Sequence, residues 1–373
     1  MGYELLIATG RENFPVTEHL IYLNHAAVSP LCRPAALAMK RWIDDCLEFG
    51  SLHYDQWLEA YGGVRVAAAR LINANPTEIA IVKNTSEGIA TVAIGLDWKG
   101  GDKVVAFEDE FPANYYPWKR LESKGVRLEL LPATAPLEAI DAAATGARLL
   151  SISFVQYLSG YRANLEAIGE ICHRRGCLFF VDAIQGMGAF PIDVRKARIH
   201  ALAADGHKWM LGPEGCGVLY IQRDVQDIVD PVEFGYTNVA AFADYGTRNM
   251  TLRSDAGRYE CGTLNTVGCF GLRAAIEFVM ETGVASIAKT VQALGDQIAA
   301  GVQRKGYELA VERTQENGAG IVSFRKDGMN CRGLVSELKD KGILAAPRHG
   351  WVRASPHFYI LPEEIERFIS LIP

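Results

Sequence analysis

Seven short apolar segments alternate with helical patterns between residues 64 and 222, and this alternation constrains the fold more than any other feature of the chain. One helical pattern, at 165–176, ends at Gly176, a residue type that commonly terminates helices. Strands that alternate with helices build a mostly parallel sheet covered by helices on both faces. The sequence therefore predicts an α/β fold, with strands at 78–84, 103–109, 126–132, 148–155, 177–182, 200–205 and 217–222.

The pattern changes near residue 285, where a long helical stretch leads into short strands and a final helix with Pro362 in its first turn. A chain of 373 residues is long enough to form two domains. We therefore predict a large domain at 19–280 and a smaller α+β C-terminal domain at 281–373. An N-terminal segment at 1–18 is expected to pack near the smaller domain.

The composition is that of an ordinary soluble globular protein, with 49% hydrophobic residues, 22% charged residues and a net charge of −6. No run of Lys and Arg indicates a nucleic-acid partner, no apolar run of about 18 residues indicates a membrane span, and no signal peptide is visible. The eight cysteines show neither a CxxC pair nor a Cys/His ligand spacing, so we expect no disulfide framework and no metal site. Reduced thiols favour a cytoplasmic location.

An acid and a lysine follow two of the predicted strands. Asp182 ends the strand at 177–182, and Lys208 follows the strand at 200–205 in the segment GHKWMLGPEGCG. Ligands of open α/β sheets bind at the carboxyl ends of the strands, so both side chains should reach one edge of the sheet. A lysine for a Schiff base and a carboxylate for a pyridine nitrogen are the groups that hold pyridoxal phosphate (PLP). Taken singly, a surface lysine and a helix-capping acid are commoner.

The segment NTSEG at 84–88 lies between a predicted strand and a predicted helix. Backbone N–H groups and hydroxyls at a helix N-terminus form an anion site, with Thr85 and Ser86 as candidate ligands. A simple helix cap by Thr85 or Ser86 is an equally good and compatible interpretation. The segment is not a GxGxxG fingerprint, which disfavours a dinucleotide cofactor.

Three further residues are candidates with bland alternatives. Phe111 follows another strand and either stacks on a pyridine ring or packs in the core. Thr263 lies in a polar, glycine-containing stretch, where it either reaches a phosphate of a neighbouring subunit or serves turn chemistry. Arg353 either clamps a substrate carboxylate or pairs with a nearby acid.

Taken in order, the motifs NTSEG, EDEFPAN, VDAIQ, GHKW and RYECGT and the late arginine resemble the class V aminotransferase family. These are fold type I PLP enzymes that include cysteine desulfurases, isopenicillin N epimerase-like proteins and kynureninases. The resemblance extends from YLNHAAVSPL at 22–31 to RASPHFY at 353–359. It implies PLP as the cofactor and a homodimer with an active site shared between its subunits.

The resemblance also implies roles for individual residues. Lys208 would form the Schiff base, Asp182 would pair with the pyridine nitrogen, and Gln185 would pair with the phenolic oxygen. The remaining cofactor contacts would be Phe111, Thr85, Ser86, His207 and, from the other subunit, Thr263. The substrate contacts would be Arg353, which would hold the substrate carboxylate, together with Asn24, His25 and Gln156.

The chain departs from the family pattern at three places. Phe111 stands where desulfurases carry a stacking histidine. Asp205 stands where a phosphate-binding hydroxyl is common, and we expect it to turn away or to hydrogen-bond His207, since two anions repel each other. Desulfurases also carry a nucleophilic cysteine shortly before the late arginine, whereas LAAPRHGWVR at 344–353 has none. Cys331, the nearest upstream, falls at a predicted helix start, so a persulfide-forming desulfurase is disfavoured.

The sequence thus predicts a PLP-dependent enzyme that acts on a small amino acid or related amine, with transamination as the leading reaction. The alternative is a cysteine or cystine C–S (β) lyase, or an epimerase, that works without a persulfide cysteine. A PLP-binding protein without turnover is disfavoured because the lysine, the acid and the arginine are all present. Arg348 and His349, in place of the cysteine loop, and Tyr54 are possible neighbours of the substrate or surface residues.

Overall fold

The protein is described by a computed structural model that covers residues 10–373. Within this range the helices are α1 (Arg33–Phe49), α2 (Tyr54–Ile72), α3 (Thr85–Gly95), α4 (Tyr116–Arg120), α5 (Leu137–Ala144), α6 (Leu165–Arg175), α7 (Thr266–Thr282), α8 (Val284–Arg304), α9 (Cys331–Asp340) and α10 (Pro362–Ser370). The strands of the first sheet are β2 (Ile79–Val82), β3 (Lys103–Phe107), β4 (Arg127–Leu131), β5 (Leu149–Ser153), β6 (Leu178–Asp182), β7 (Ala201–Asp205) and β8 (Gly217–Ile221). The remaining strands are β1 (Ile21–Tyr22), β9 (Glu308–Leu309), β10 (Val322–Arg325), β11 (Ile343–Leu344), β12 (Ala346–Arg348) and β13 (Trp351–Ala354).

The first sheet has seven strands in the order β2-β8-β7-β6-β5-β3-β4. Every predicted strand between 78 and 222 is present, which confirms the α/β fold. The pairs among β3 to β7 are parallel, whereas β8 runs antiparallel to both of its neighbours, β7 and β2. Because β8 is antiparallel to β7, a loop of residues 206–216 suffices to join them. That loop carries Lys208.

Two apolar layers cover the two faces of this sheet. In β6, Phe179 and Val181 pack into one layer and Phe180 into the other, as the alternation of side chains along a strand requires. The Phe180 ring lies 5.7 Å from the ring of Trp118, edge to face. Because both faces are buried, the strands consist of nearly unbroken apolar runs, which made them recognisable in the sequence.

A second, antiparallel sheet in the order β12-β13-β10-β9 follows α7 and α8. Gly283, with φ 92°, separates the two helices, two residues beyond the proposed domain boundary at 281. The long helix, the short strands and the final helix that begins at Pro362 are present as predicted. The division at 280–281 stays a proposal.

The N-terminal segment contacts the C-terminal part of the chain. Residues 1–9 of the predicted segment at 1–18 lie outside the described residues. Within the rest, the ring of Phe14 stacks on Tyr359 at 3.7 Å, and Arg11 forms a two-bond ion pair with Glu364. Strand β1 pairs in parallel with β11. Among residues 10–373, no helix is long and apolar enough to cross a membrane.

Candidate active site

The polar residues that follow the first-sheet strands converge on a cavity of about 380 Å³ at one edge of the sheet. Eight predicted site residues line this cavity: Thr85, Ser86, Phe111, Asp182, Gln185, His207, Lys208 and Arg353. Four predicted residues do not line it: Asn24, His25, Gln156 and Thr263. The cavity therefore gathers residues from α3, from the ends of β6 and β7, and from β13 of the second sheet.

Lys208 is held in the loop between β7 and β8. The loop closes tightly because the Gly206 N–H donates to the Cys216 carbonyl oxygen, and a Cβ at Gly206 would lie only 2.8 Å from that oxygen. The Ser29 hydroxyl donates to the Lys208 carbonyl oxygen at 2.6 Å and fixes the main chain. Burial lowers the pKa of the Lys208 amine to about 8, although Asp182 opposes this shift. A lowered pKa supplies the neutral amine that attacks a carbonyl or accepts a proton.

Asp182 ends β6 as a buried carboxylate. One of its oxygens accepts a hydrogen bond from the Ile184 N–H at 3.0 Å, and no side chain among the described residues donates to the other oxygen. Burial raises the pKa of this carboxyl to about 6, while the hydrogen bond and Lys208 act in the opposite direction. A positively charged ring nitrogen at the open oxygen would compensate the buried charge. The carboxylate thus fits a protonated pyridine nitrogen.

The start of α3 forms one wall of an anion cup, which we define as Thr85, Ser86, Asp205 and His207. Asn84, and not Thr85 or Ser86, caps the helix: its side-chain oxygen accepts from the Glu87 N–H at 3.0 Å. The capping prediction was therefore wrong by one residue, and both hydroxyl residues are free of that role. First-turn N–H groups have no partner within a helix. They and the hydroxyls fit a phosphate group.

Gln185 lines the cavity but uses most of its hydrogen-bonding capacity elsewhere. Its amide nitrogen donates to the Ala26 carbonyl oxygen at 3.0 Å, and its oxygen accepts from the Trp209 ring N–H at 2.8 Å. One amide hydrogen is left for a ligand. The predicted contact with a phenolic oxygen is compatible with this arrangement, and Trp209 fixes the orientation of the amide.

The structure does not bring His25 or Asn24 to the cavity. His25 is fully buried, and its ring nitrogens lie 2.8 Å from the Ser355 carbonyl oxygen and 2.6 Å from the Tyr359 hydroxyl. Burial lowers the pKa of His25 well below its usual value, so the ring is neutral. The Asn24 side-chain oxygen is also buried, without a hydrogen bond. The residues of this segment that line the cavity are Ala26, Ala27 and Val28.

Gln156 is likewise turned away from the cavity. Its amide nitrogen donates to the Asp109 carbonyl oxygen, and its oxygen accepts from the Leu158 N–H at 2.7 Å. These bonds hold the side chain in its own loop, and Gln156 does not line the cavity. The next residue, Tyr157, lines the cavity instead and contacts the Phe111 ring edge to face at 5.3 Å.

Two arginines enter the cavity from the β12–β13 hairpin. Arg353 is buried, its guanidinium donates to the Tyr157 carbonyl oxygen at 2.8 Å, and its Nε has no partner. Burial and the charge of Arg348 lower the pKa of Arg353 to about 10. Because Arg348 lies opposite Trp351 and Ala346 opposite Arg353, both arginines project from the same face of the hairpin. An arginine fork of this kind binds carboxylates.

The hairpin lies in the segment 344–353, in which the sequence has no cysteine. Its turn consists of His349 and Gly350, with φ 48° and 84°, as two-residue hairpin turns require. The Nε2 atom of His349 lies 3.2 Å from the Tyr157 hydroxyl. None of the eight cysteines lines the cavity. Cys331 is the first residue of α9, as predicted.

Thr263 and Tyr54 line a separate groove of about 300 Å³. The Thr263 hydroxyl lies 3.3 Å from the Tyr236 hydroxyl. Tyr245, which is 78% exposed, borders the same groove. Within one protomer, Thr263 therefore does not contribute to the cavity that holds Lys208.

Sequence reasoning missed several residues that line the cavity. Tyr157, Ile184 and Val28 are apolar or aromatic, and residues of this kind resemble core residues in a sequence. Asn84 belonged to a recognised motif, but its neighbours were preferred. Arg348 was noticed and left open, because a hairpin register decides which of its side chains face a cavity.

A half-buried lysine, an opposing buried acid and an anion cup at the strand ends define a PLP-dependent enzyme of fold type I. The family model described as Aminotransferase class-V matches residues 21–368, and the chain belongs to this family. It is 31% identical to a probable cysteine desulfurase of Pyrococcus abyssi, over 97% of this chain and 96% of that protein. It is 30% identical to an uncharacterized aminotransferase of Bacillus subtilis, over 97% and 96% of the two chains.

A solved structure is also similar. The apo cysteine desulfurase from Thermococcus onnurineus NA1 superposes with a TM-score of 0.91 at 28% identity, and the match covers 98% of this chain and 96% of that one. The protein is thus a PLP-dependent class V enzyme. The open Asp182 oxygen, the free N–H groups of α3 and the Lys208 amine with its lowered pKa all fit this cofactor.

Proposed function

We propose that the enzyme cleaves the C–S bond of a cysteine-derived amino acid by β-elimination, without a persulfide-forming cysteine. This was the alternative prediction, and the desulfurase relatives support it better than transamination. The observation that carries it is the content of the cavity, which has Lys208 and two arginines but none of the eight cysteines. The residues that would bind and deprotonate a cysteine-derived substrate are present in this cavity, but it has no cysteine thiol that would accept the sulfur atom.

The residues of the chain have separate tasks in this reaction. Bound PLP withdraws electrons from the substrate Cα and thereby weakens the bonds to that carbon. Arg353 holds the substrate carboxylate through its guanidinium fork. The Lys208 Nζ, neutral above about pH 8, removes the Cα proton and then holds it beside the leaving sulfur. Asp182 keeps its negative charge opposite the ring nitrogen.

The second arginine favours a cysteine derivative with two carboxylates, and cystine is such a substrate. Arg348 and Arg353 project from one face of the hairpin into the cavity, and each guanidinium can bind one carboxylate. Elimination from cystine breaks one Cβ–S bond and leaves the disulfide sulfur with its electron pair. With one water, the products are cysteine persulfide, pyruvate and ammonia.

The test is pyruvate release from cystine, cysteine and an S-conjugate of cysteine, with no keto acid added. The proposal expects pyruvate from cystine, with Lys208→Ala as the inactive control. It also expects Arg348→Met to lower kcat/KM for cystine about tenfold to hundredfold while changing that for cysteine less, since one charged hydrogen-bonded pair contributes roughly 1.5–3 kcal/mol. Absence of pyruvate from every thiol and disulfide substrate would overturn the proposal.

Transamination, the leading prediction from the sequence, is the second candidate. It is supported by the similarity to an uncharacterized aminotransferase of B. subtilis over nearly the whole chain. In this reaction Lys208 would move the Cα proton to the cofactor carbon, and the amine would pass to a keto acid. Amine transfer that strictly requires a keto acid, without pyruvate in its absence, would favour this candidate over the lyase.

The enzyme is also proposed to act as a homodimer in the cytoplasm. Apolar side chains on α1 and in the segment 232–250 are exposed, among them Leu47 at 82%, and exposed patches of this kind mark protein interfaces. The groove with Thr263 lies in the same region as Tyr54 and Tyr245, which agrees with a cross-subunit role for Thr263. Light scattering that shows a monomer with tightly bound PLP would contradict this role. All eight cysteines are free, in keeping with a reducing compartment.

A further inference from the structure

An acid in the anion cup has no obvious place beside a phosphate. Asp205 is the last residue of β7, is buried, and lines the cavity. Its Oδ1 atom has no hydrogen-bond partner, and its Oδ2 atom lies 3.0 Å from the Nδ1 atom of His207. That contact has the distance of an ion pair, but its angle does not make a hydrogen bond. Asp205 therefore neither turns away from the cavity nor forms the expected hydrogen bond with His207, although the two side chains are in contact.

The surroundings of Asp205 offer few positive charges. From α3, the Thr85 hydroxyl oxygen accepts the Asp205 N–H at 3.0 Å, so its own hydrogen is free for a ligand. From the loop, His207 and Lys208 face the carboxylate, and the neutral Cys216 thiol at the end of the same loop is also near it. Lys208 is committed to the carbonyl carbon of the cofactor. His207 is therefore the group at the cup that can supply a positive charge.

The other cations of the cavity come from a different part of the fold. Arg348 and Arg353 stand on the hairpin of the second sheet, and Arg353 is anchored to the Tyr157 carbonyl oxygen. A phosphate in the cup near neutral pH carries up to two negative charges. Together with an ionised Asp205 and a neutral His207, the cup would hold three negative charges without a countercharge at contact.

We propose that Asp205 and His207 hold a proton between them when the cofactor phosphate occupies the cup, so that the cup binds phosphate and proton together. A small rotation of the imidazole would direct Nδ1–H to Asp205 and present Nε2–H to a phosphate oxygen. Asp205 is then a positioning residue that acts through His207. A hydroxyl at position 205 would not stabilise a positive charge on His207. Fewer than one proton would then be taken up for each cofactor that binds.

The test compares PLP with pyridoxal, which has the same ring and carbonyl but lacks the phosphate. Dissociation constants of both are measured for the full-length protein by equilibrium dialysis between about pH 7 and 9, where the free phosphate is already a dianion. The ratio of the two constants isolates the phosphate, because Lys208 and Asp182 contribute equally to both. If the phosphate binds together with one extra proton, the ratio that expresses the preference for PLP falls about tenfold per pH unit. This fall begins above the pH at which the free cup loses that proton.

The variants are Asp205→Ser, Asp205→Asn and His207→Gln. Wild type should lose its preference for PLP steeply as the pH rises, the two Asp205 variants should lose it with a distinctly shallower slope, and His207→Gln should show no slope. Asparagine keeps the shape of the acid without its charge. If Asp205→Ser does not fold, the pH slope of Asp205→Asn therefore still tests the role of the charge. Equal slopes in wild type and both Asp205 variants, or no slope in wild type, would overturn the proposal.

Discussion

The two ends of the cavity are built in different ways. The cofactor end consists of strand ends and one helix N-terminus of the first sheet, with Asp182, Lys208 and the anion cup. The substrate end consists of a hairpin from the second sheet, with Arg348 and Arg353. The cofactor end is fixed by the strand order of the first sheet, whereas the substrate end is a hairpin that closes in the two-residue turn of His349 and Gly350. The comparison supports our proposal that this enzyme keeps the cofactor chemistry and releases sulfur without a protein persulfide.

The largest effect is expected at the cofactor end, from Lys208→Ala. Removal of the amine abolishes the covalent attachment and the base together, so activity should fall by a factor on the order of 10⁴ or more. The visible absorption band of the wild-type protein with PLP should disappear as well. Lys99→Ala, at an exposed lysine, serves as the matched control and should keep the band.

At the substrate end, Arg353→Ala is expected to leave the absorption band in place and to raise KM. A buried guanidinium that binds a carboxylate contributes roughly 1.5–3 kcal/mol, which corresponds to about a tenfold to hundredfold loss in kcat/KM. Titration of cystine into the holoenzyme measures both quantities. If Arg353→Ala lost the cofactor band instead, the two ends would not be separable, and the comparison would fail.

The pH dependence of cofactor attachment sharpens the comparison further. The neutral Lys208 amine attacks the cofactor carbonyl, and its lowered pKa of about 8 means that the neutral form predominates above that pH. Attachment, followed by absorbance after mixing PLP with the apoenzyme, should accelerate from pH 6 to about 8 and then level off. An acceleration that continues to about pH 10 would indicate a lysine with an ordinary environment.

How much of the fold and of the site could be predicted from the sequence depends on how far apart along the chain the contacting residues lie. Asp182, Lys208, Thr85 and Ser86 were found from the sequence because each follows directly on a strand or opens a helix, where local sequence decides direction. The position of His25 could not be read from the sequence, because its ring is held by partners more than 300 positions away, Ser355 and Tyr359.

The residue that lines the cavity in this loop is Tyr157, one position after Gln156. Gln156 is held away from the cavity by its contacts with Asp109 and Leu158, which the sequence did not reveal. The apolar pattern also could not predict that β8 is antiparallel, because a buried strand has the same apolar sequence pattern in either direction. Long-range contacts thus set the parts that sequence did not reveal.

The smallest effect is expected from Phe111→Ala. The ring is 47% exposed, lies over the cavity mouth against Tyr157, and is 5.8 Å from the Lys208 amine. An aromatic contact of this kind contributes about 0.5–1.5 kcal/mol, so PLP should dissociate about twofold to tenfold more readily. Phe111→Tyr is the control that keeps the ring. Equal dissociation constants for wild type and Phe111→Ala would show that the ring does not stack on the cofactor.

The central claim is elimination without a protein persulfide, and mass spectrometry of the intact enzyme during turnover of cystine tests it most directly. Pyruvate is measured in the same samples, with and without prior alkylation of the partly exposed Cys46, Cys261 and Cys331. The account predicts that pyruvate forms at the same rate in both samples and that no cysteine gains a sulfur atom in step with turnover. A cysteine that gains one sulfur per pyruvate, together with loss of pyruvate formation after alkylation, would contradict it.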